Sequence, residues 1–193
     1  MQVRPERLAE YIRRLDGMVR SHGTQAAYYA HASVGCLHIR PIIDLKQAPD
    51  LEMPDTSGTS HDLYDVKAQY TMLLFWASTC SHCRDEMPSI SDFYKEFHKK
   101  YDMEIFGVST DTSITRWKSF IRRKKLPWIN VFGRKSFKGS YHQLYDIRST
   151  PVIYLLDERK IIIAKYLTPA RAGEIILQRE AVKNRKQATI KNN

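Results

Sequence analysis

The stretch Trp76-Ala-Ser-Thr-Cys80-Ser-His-Cys83 holds the residue types best suited to chemistry in this chain. A continuous apolar run, Thr71–Ala77, leads into it, and a helical pattern from about Cys80 to Tyr101, with Pro88 inside, leads out. Two cysteines three residues apart at a helix start lie one turn apart, within reach of a disulfide. Free N–H groups and the helix macrodipole favour an anion at that end, so the Cys80 thiolate is expected to be stabilised. Cys83 is expected to point back into the helix–sheet interface. The chemistry this pattern predicts is thiol–disulfide exchange: Cys80 attacks a substrate disulfide and Cys83 resolves the mixed disulfide. Half of a zinc site is the competing reading, but structural zinc takes four ligands and the sequence offers no second pair.

The elements that must position this pair alternate between strand and helix. A strand–turn–strand is expected over Asp50–Met53 and Ser60–Leu63, flanking Pro54–Gly58. After the buried strand and its helix come a strand at Glu104–Ser109 and a helix near Thr112–Lys125. A strand at Trp128–Phe132 and a short helix near Phe137–Tyr145 follow. Strands Val152–Leu156 and Ile161–Leu167, joined by Asp157–Lys160, read as an antiparallel hairpin at the sheet edge, before a last helix from Pro169 to about Lys183. Such alternation predicts an α/β sheet covered on both faces. Residues 184–193 are polar and basic and are expected to fray as a tail. Ahead of all this, Leu8, Tyr11, Ile12, Leu15 and Val19 form a helical stripe over Pro5–Val19, which His22-Gly23 ends. Strand-like runs Ala26–His31 and Cys36–Ile43 follow, with a break at Lys46–Asp50.

With 193 residues, 42% of them hydrophobic, the chain can bury a core, which excludes wholesale disorder. Its net charge of +10 raises the question of nucleic acid. The densest basic run, Arg116–Lys125, carries Ile114, Trp117 and Ile121 on one helical face, so its cations are expected on a solvated side. Exposed aromatics among those cations or a nucleic-acid motif would be needed, and neither is present. No apolar run reaches the length of a membrane span, and the first residues lack the apolar core of a signal peptide. Three cysteines are too few for a disulfide framework.

Residues from about 47 to 183 resemble the thioredoxin-like thiol–disulfide oxidoreductases of the TlpA/ResA-like family. Ala48-Pro49-Asp50 and the Asp55–Gly58 turn look like that family's N-terminal hairpin, and Trp76-Ala-Ser-Thr-Cys80 resembles its entry to the active site. Pro88 falls five residues after Cys83, and Ser149-Thr-Pro151 before a strand looks like the cis-proline loop that faces the disulfide. The resemblance implies a thioredoxin-like fold, a central mixed sheet flanked by helices. It implies catalytic Cys80 and Cys83, with Glu86, aligned with a buried glutamate, helping to deprotonate Cys83. It also implies substrate contacts from Trp76, Thr79, Thr150 and Pro151, with protein thiols and disulfides as partners, together with an upstream thiol–disulfide donor or acceptor. No cofactor is implied beyond a redox-active Cys80–Cys83 disulfide. The family setting is the periplasm or cell envelope, although the absence of a leader in this sequence leaves the cytoplasm open.

Three departures from the pattern matter. Thr79 replaces an aromatic residue before the first cysteine, Ser81-His82 replaces a Gly-Pro dipeptide, and Lys160 stands where a glycine turn is usual. An imidazolium at His82 would stabilise the Cys80 thiolate and make the couple more oxidising than thioredoxin. A peroxiredoxin-like peroxidase would want a threonine three residues before its cysteine, where this sequence has Ala77 before Cys80.

Residues 1–46 have a different texture. His31-Ala-Ser-Val-Gly-Cys-Leu-His38 resembles a motif in the C-terminal domain of FAD-linked oxidases, some of which use its histidines to hold a metal. The segment is far too short to bind FAD, so a remnant or fused fragment is expected, with His31 and His38 as ordinary polar residues and Cys36 a bystander thiol. Seven residues apart in extended chain, the two histidines fall on opposite pleat faces unless a turn at Gly35 intervenes. The division expected is therefore 1–46, a thioredoxin-like domain at 47–183, and a tail at 184–193. The rival to a redox enzyme is a non-catalytic binding domain on the same scaffold.

Overall fold

The structure, a computed structural model, describes residues 47–133 and 141–191, the backbone of 25–31 and 36–42, and residues 10, 12–14, 16 and 17. The chain divides into two compact units, Met1–Leu45 and Lys46–Asn193. In the first, the described residues between 10 and 17 are helical. Strand β1 (Gln25–His31) pairs antiparallel with β2 (Cys36–Ile42), His31 facing Cys36 and Tyr29 facing His38. Cross-strand partners share a face and alternate residues return to it, so positions 31, 36 and 38 lie on one face of the ladder. The antiparallel register thus puts positions 31 and 38 on a common face of the ladder. The expected helix start at Pro5, the stop at His22-Gly23 and the Gly35 turn lie outside the described residues.

The second unit opens with an antiparallel hairpin, β3 (Glu52–Pro54) and β4 (Ser60–Asp62). Asp55 closes its turn by accepting the N–H groups of Ser57, Gly58 and Thr59, and Gly58 supplies the left-handed φ of 97° that the turn needs. A single 3-10 turn at Leu63–Asp65 follows. Next come β5 (Tyr70–Trp76), α1 (Ser81–Phe97), β6 (Met103–Ser109), α2 (Ile114–Lys124), β7 (Ile129–Phe132) and α3 (Tyr141–Leu144). Strands β8 (Val152–Asp157) and β9 (Ile162–Lys165) and helix α4 (Pro169–Lys191) complete it. The first half of the helix expected from Phe137 lies outside the described residues.

Five strands form one mixed sheet in the order β7-β6-β5-β8-β9. The β5–β6 and β6–β7 pairs are parallel, while β8 runs antiparallel to both β5 and β9. All seven residues of β5 are buried, as its uninterrupted apolar pattern requires of a central strand covered on both sides. Met72, Leu74 and Trp76 join a core with α1, α2 and α4, including Met87, Trp117, Phe120 and Ile176. Leu73 and Phe75 point the other way, into a core with Leu51 and Met53 of the hairpin, Tyr141, Tyr145 and Tyr154. This is the mixed α/β architecture of a thioredoxin-like fold. Helix α4 packs so closely on α1 that a Cβ on Gly173 would come within 2.8 Å of the Phe97 ring.

Two expectations about helices are corrected. Helix α4 continues to Lys191, so most of the predicted frayed tail is helical. Beyond Gly173 it contains no glycine or proline, and Ala, Arg, Lys and Gln are good helix formers. On α2 the buried face is Trp117 and Phe120 with Ile121 half-buried, whereas Ile114, in the first turn, is 45% exposed.

Lys160 shows why no glycine occupies the β8–β9 turn. Its backbone takes the left-handed φ of 62°, and its side chain is fully buried. Nζ donates to the Val66 carbonyl at 2.8 Å and to Thr71 Oγ1 at 3.0 Å, tying the turn to the start of β5. Burial pushes its pKa down, helped by Lys67 and opposed by Asp157 and Asp102. A lysine whose folded pKa lies below its unfolded value penalises folding while charged. Between the lowered pKa and 10.5 the unfolded chain binds more protons, so this group's contribution to stability improves as pH rises. Lys160→Met leaves two buried acceptors without a donor, at a cost of about 1–3 kcal/mol. Denaturant unfolding should show that cost growing between neutral pH and pH 10; a cost that shrinks over this range would contradict the account.

Candidate functional site

The end of β5, the start of α1 and the loop before β8 meet at one end of the sheet, and the cysteine pair lies there. After Trp76 the chain must leave the sheet and enter a helix within four residues. Its route is held from β6: Thr110 N–H and Oγ1 both donate to the Trp76 carbonyl, at 2.8 and 3.3 Å. Ser78 N–H and Oγ donate to the Asp111 carboxylate at 2.8 and 2.9 Å. Cys80 N–H closes a turn onto the Ala77 carbonyl at 3.2 Å. Arg84 Nη1 reaches the carbonyls of Ser78 and Thr79 at 3.4 and 3.3 Å.

Cys80 is the N-cap of α1, with extended backbone, and its Sγ accepts the Cys83 N–H at 3.2 Å. It therefore stands where a helix leaves unpaired donors that favour an anion. Both cysteines are free thiols; Cys80 is half-buried and Cys83 wholly buried. From the facing loop, the Thr150 carbonyl accepts from Cys80 Sγ at 3.3 Å, and the Thr150–Pro151 peptide bond is cis.

The two thiols are shifted in opposite directions. Burial pushes Cys80 up, but hydrogen bonds from Cys83 and Thr150 and the backbone N–H groups of Cys83 and His82 together hold it below the ordinary thiol value. Burial dominates at Cys83 and, with the neighbouring Cys80 sulfur, pushes it up to about 12. The arrangement can thus hold one sulfur as a nucleophile while keeping the other protonated beneath it.

The remaining sequence candidates divide by exposure. Thr79, Ser81 and His82 are exposed beside Cys80, and Thr150 and Pro151 are half-buried opposite it. Trp76 is corrected as a substrate contact: it is wholly buried, its ring 5.4 Å from that of Phe120, because it is the last residue of a strand covered on both faces. Glu86, expected to be buried, is half-buried, since its position on α1 lies at the margin of the face that buries Cys83, Met87 and Ile90. Among the described residues it has no hydrogen bond or ion pair to either cysteine. His82 contributes to the lowered Cys80 pKa through its backbone N–H. The Cys36 side chain and the side chains of His31 and His38 lie outside the described residues, and among those described no cluster of His, Cys, Asp or Glu could hold a metal ion.

The sequence reading missed Asp111 with Ser78, Ser109 and Thr110. Its only signal was three small polar residues, Ser109-Thr-Asp111, at the end of a buried strand. It also missed a cavity of about 520 Å³ beside Pro151, bounded by Asp146, Arg148, Ser149 and Tyr166.

Comparison with known proteins places the chain. It is 30% identical over 118 residues to the thioredoxin-like protein YneN of Bacillus subtilis, covering 61% of this chain and 67% of that protein. With the thiol-disulfide oxidoreductase ResA of Bacillus cereus it shares 24% identity over 123 residues, 63% of this chain and 68% of the relative. The chain thus spans about two thirds of the length of these curated relatives. Among solved structures, a domain of a possible thiol-disulfide isomerase from Cytophaga hutchinsonii superposes with a TM-score of 0.66 at 37% identity, over 74% of this chain and 97% of that one. The thioredoxin domain of a thiol-disulfide oxidoreductase from Bacteroides vulgatus gives 0.62 at 32%, over 68% and 94%. Residues 1–65 match the C-terminal domain of FAD linked oxidases, in keeping with the different texture of the first segment. Residues 45–165, more than half of the chain, match the AhpC/TSA family, and the chain belongs to that family.

Proposed function

We propose that residues 47–183 are a thiol–disulfide oxidoreductase that exchanges disulfides with protein substrates through Cys80-Ser81-His82-Cys83. The observation that carries this reading is the split between the two thiols: a lowered pKa at the helix N-cap and one of about 12 in the core behind it. The solved neighbours from Cytophaga hutchinsonii and Bacteroides vulgatus bear names of the same chemistry.

In the reducing direction, Cys80 thiolate attacks one sulfur of the substrate disulfide. That S–S bond breaks, a mixed disulfide forms, and the departing substrate thiolate takes a proton from solvent. The negative charge on Cys80 is then gone. Its loss removes the charge repulsion and the acceptor that help keep Cys83 protonated, so the Cys83 pKa falls at the stage where it must react. Water, or Glu86 acting through water, takes the proton. Cys83 attacks Cys80 Sγ, the second substrate thiolate leaves, and Cys80–Cys83 is oxidised. Two electrons have passed to the substrate, and an upstream dithiol restores the pair.

Thr79, Thr150 and Pro151 surround the attacking sulfur and would contact the substrate. An extended segment could also pair with the backbone before Pro151. The periplasm or cell envelope is the setting we assign to this activity, a reading that the resemblance to ResA-type proteins supports, and residues 1–46 take no part in it. Neither a metal nor an organic cofactor enters the scheme.

Iodoacetamide at pH 7 should label Cys80 and spare Cys83, as peptide mass mapping would show; equal labelling contradicts the split. The chain should accelerate insulin reduction by dithiothreitol, Cys80→Ser should fall to background, and Cys83→Ser should accumulate a mixed disulfide. A parent rate equal to dithiothreitol alone sinks the oxidoreductase reading. His82 supplies a backbone N–H to Cys80 that proline lacks, so His82→Pro should raise the Cys80 pKa and make the couple more reducing in a glutathione titration. His82→Ala, which keeps the N–H, should move it less. A His82→Pro variant no more reducing than the parent overturns the tuning role.

A further inference from the structure

Asp111 is 7% exposed, lies at the end of the same sheet as the cysteine pair, and makes no hydrogen bond to either sulfur. A buried carboxylate must be matched by donors. Here Oδ2 accepts from Ser78 N–H at 2.8 Å and from Ser109 Oγ at 2.9 Å, while Oδ1 accepts from Ser78 Oγ at 2.9 Å and, at the long distance of 3.5 Å, from Thr79 Oγ1. Ser109 Oγ in turn accepts the Asp111 N–H at 3.1 Å. Among the described residues its hydrogen-bond donors are neutral, and most of them come from the loop that delivers Cys80.

We propose that Asp111 is a positioning residue for Cys80: standing just after β6, it grips Ser78 and so fixes the turn that brings Cys80 Sγ onto the Cys83 N–H. The proposal rests on the reading of Cys80 as the attacking thiol. Two further contacts fit it. Thr110, the residue before Asp111, holds the Trp76 carbonyl, so two consecutive residues after β6 clamp the chain on its way from β5 to α1. Cys80 N–H bonds to the carbonyl of Ala77, the residue before Ser78, so a displaced Ser78 displaces the cysteine's own turn. Asparagine has the same shape but one neutral acceptor oxygen: kept toward Ser78 N–H it weakens that charge-assisted bond and its NH2 reverses the bond to Ser78 Oγ, and turned the other way its NH2 meets Ser78 N–H, donor against donor.

The experiment measures the rate of Cys80 alkylation by iodoacetamide from pH 5 to 10 on the reduced full chain, for the parent, Asp111→Asn, Ser78→Ala and Ser109→Ala. Asp111→Asn should slow the reaction about tenfold at pH 7 and move its midpoint up toward that of an ordinary thiol. Ser78→Ala, which keeps the charge, should move the midpoint the same way with a loss of about threefold. Ser109→Ala removes a bond to the same carboxylate without touching the loop and should stay within about twofold of the parent. A merely structural role would make the two serine variants alike, and a purely electrostatic one would move the Asp111→Asn midpoint down; either result overturns the proposal, as do parent profiles in both Asp111→Asn and Ser78→Ala. Should Asp111→Asn fail to fold by near-ultraviolet circular dichroism, Ser78→Ala against Ser109→Ala decides. Alkylation needs no protein substrate, so a failed insulin assay with this pattern intact would overturn the exchange reading and leave the positioning role standing.

Discussion

Strand β5 has no solvent-facing side: its seven residues are all buried, with alternate side chains in two separate cores. Such a strand can only sit inside the sheet, flanked here by β6 and β8. Its position settles what its last residues can do. Trp76 must remain in the core, and the four residues from Ala77 to Cys80 must turn the chain out of the sheet and into α1. The neighbours of β5 then supply what the turn lacks, with Thr110 and Asp111 from the end of β6 on one side and the Thr150 carbonyl before β8 on the other. A half-buried cysteine at this helix start is a consequence of a fully covered central strand ending beside two loops.

The proposed chemistry rests on how unequally one helical turn treats two identical side chains. Cys80 stands outside the first turn, half-exposed, where the unpaired N–H groups of the helix point at its sulfur. Cys83 lies one turn on, facing the core, where burial outweighs the backbone hydrogen bond from Ala77 and the contact with Thr150. The spacing that lets the sulfurs bond is the same spacing that puts one at a helix end and the other in apolar surroundings. Among the described residues Asp111 is matched by hydroxyl and amide donors, and Glu86 makes no hydrogen bond to either thiol.

Much of the positive charge has no connection with this chemistry. The cations of α2 occupy its solvated side while Trp117 and Phe120 fill the core, and Lys183 and Arg185 lie on the exposed surface of α4. The first unit, with its hairpin of β1 and β2, forms a separate ladder and matches a different family from the rest of the chain.

Residue types and their spacing determined the strand–helix junction, the cysteine pair within it and the covered sheet, because apolar periodicity and helix-end chemistry are local and are written in consecutive residues. Lys160 in a turn, the length of α4 and the exposure of Ile114 depended on neighbours distant in sequence. So did the partners of Ser78: Asp111 is 33 residues away and meets it only because β6 lies parallel to β5. The burial that pushes Cys83 up and removes Trp76 from the surface is likewise a property of packed layers. Tertiary structure decided which polar groups meet and which side chains lose water, since both depend on contacts between elements that the sequence keeps apart.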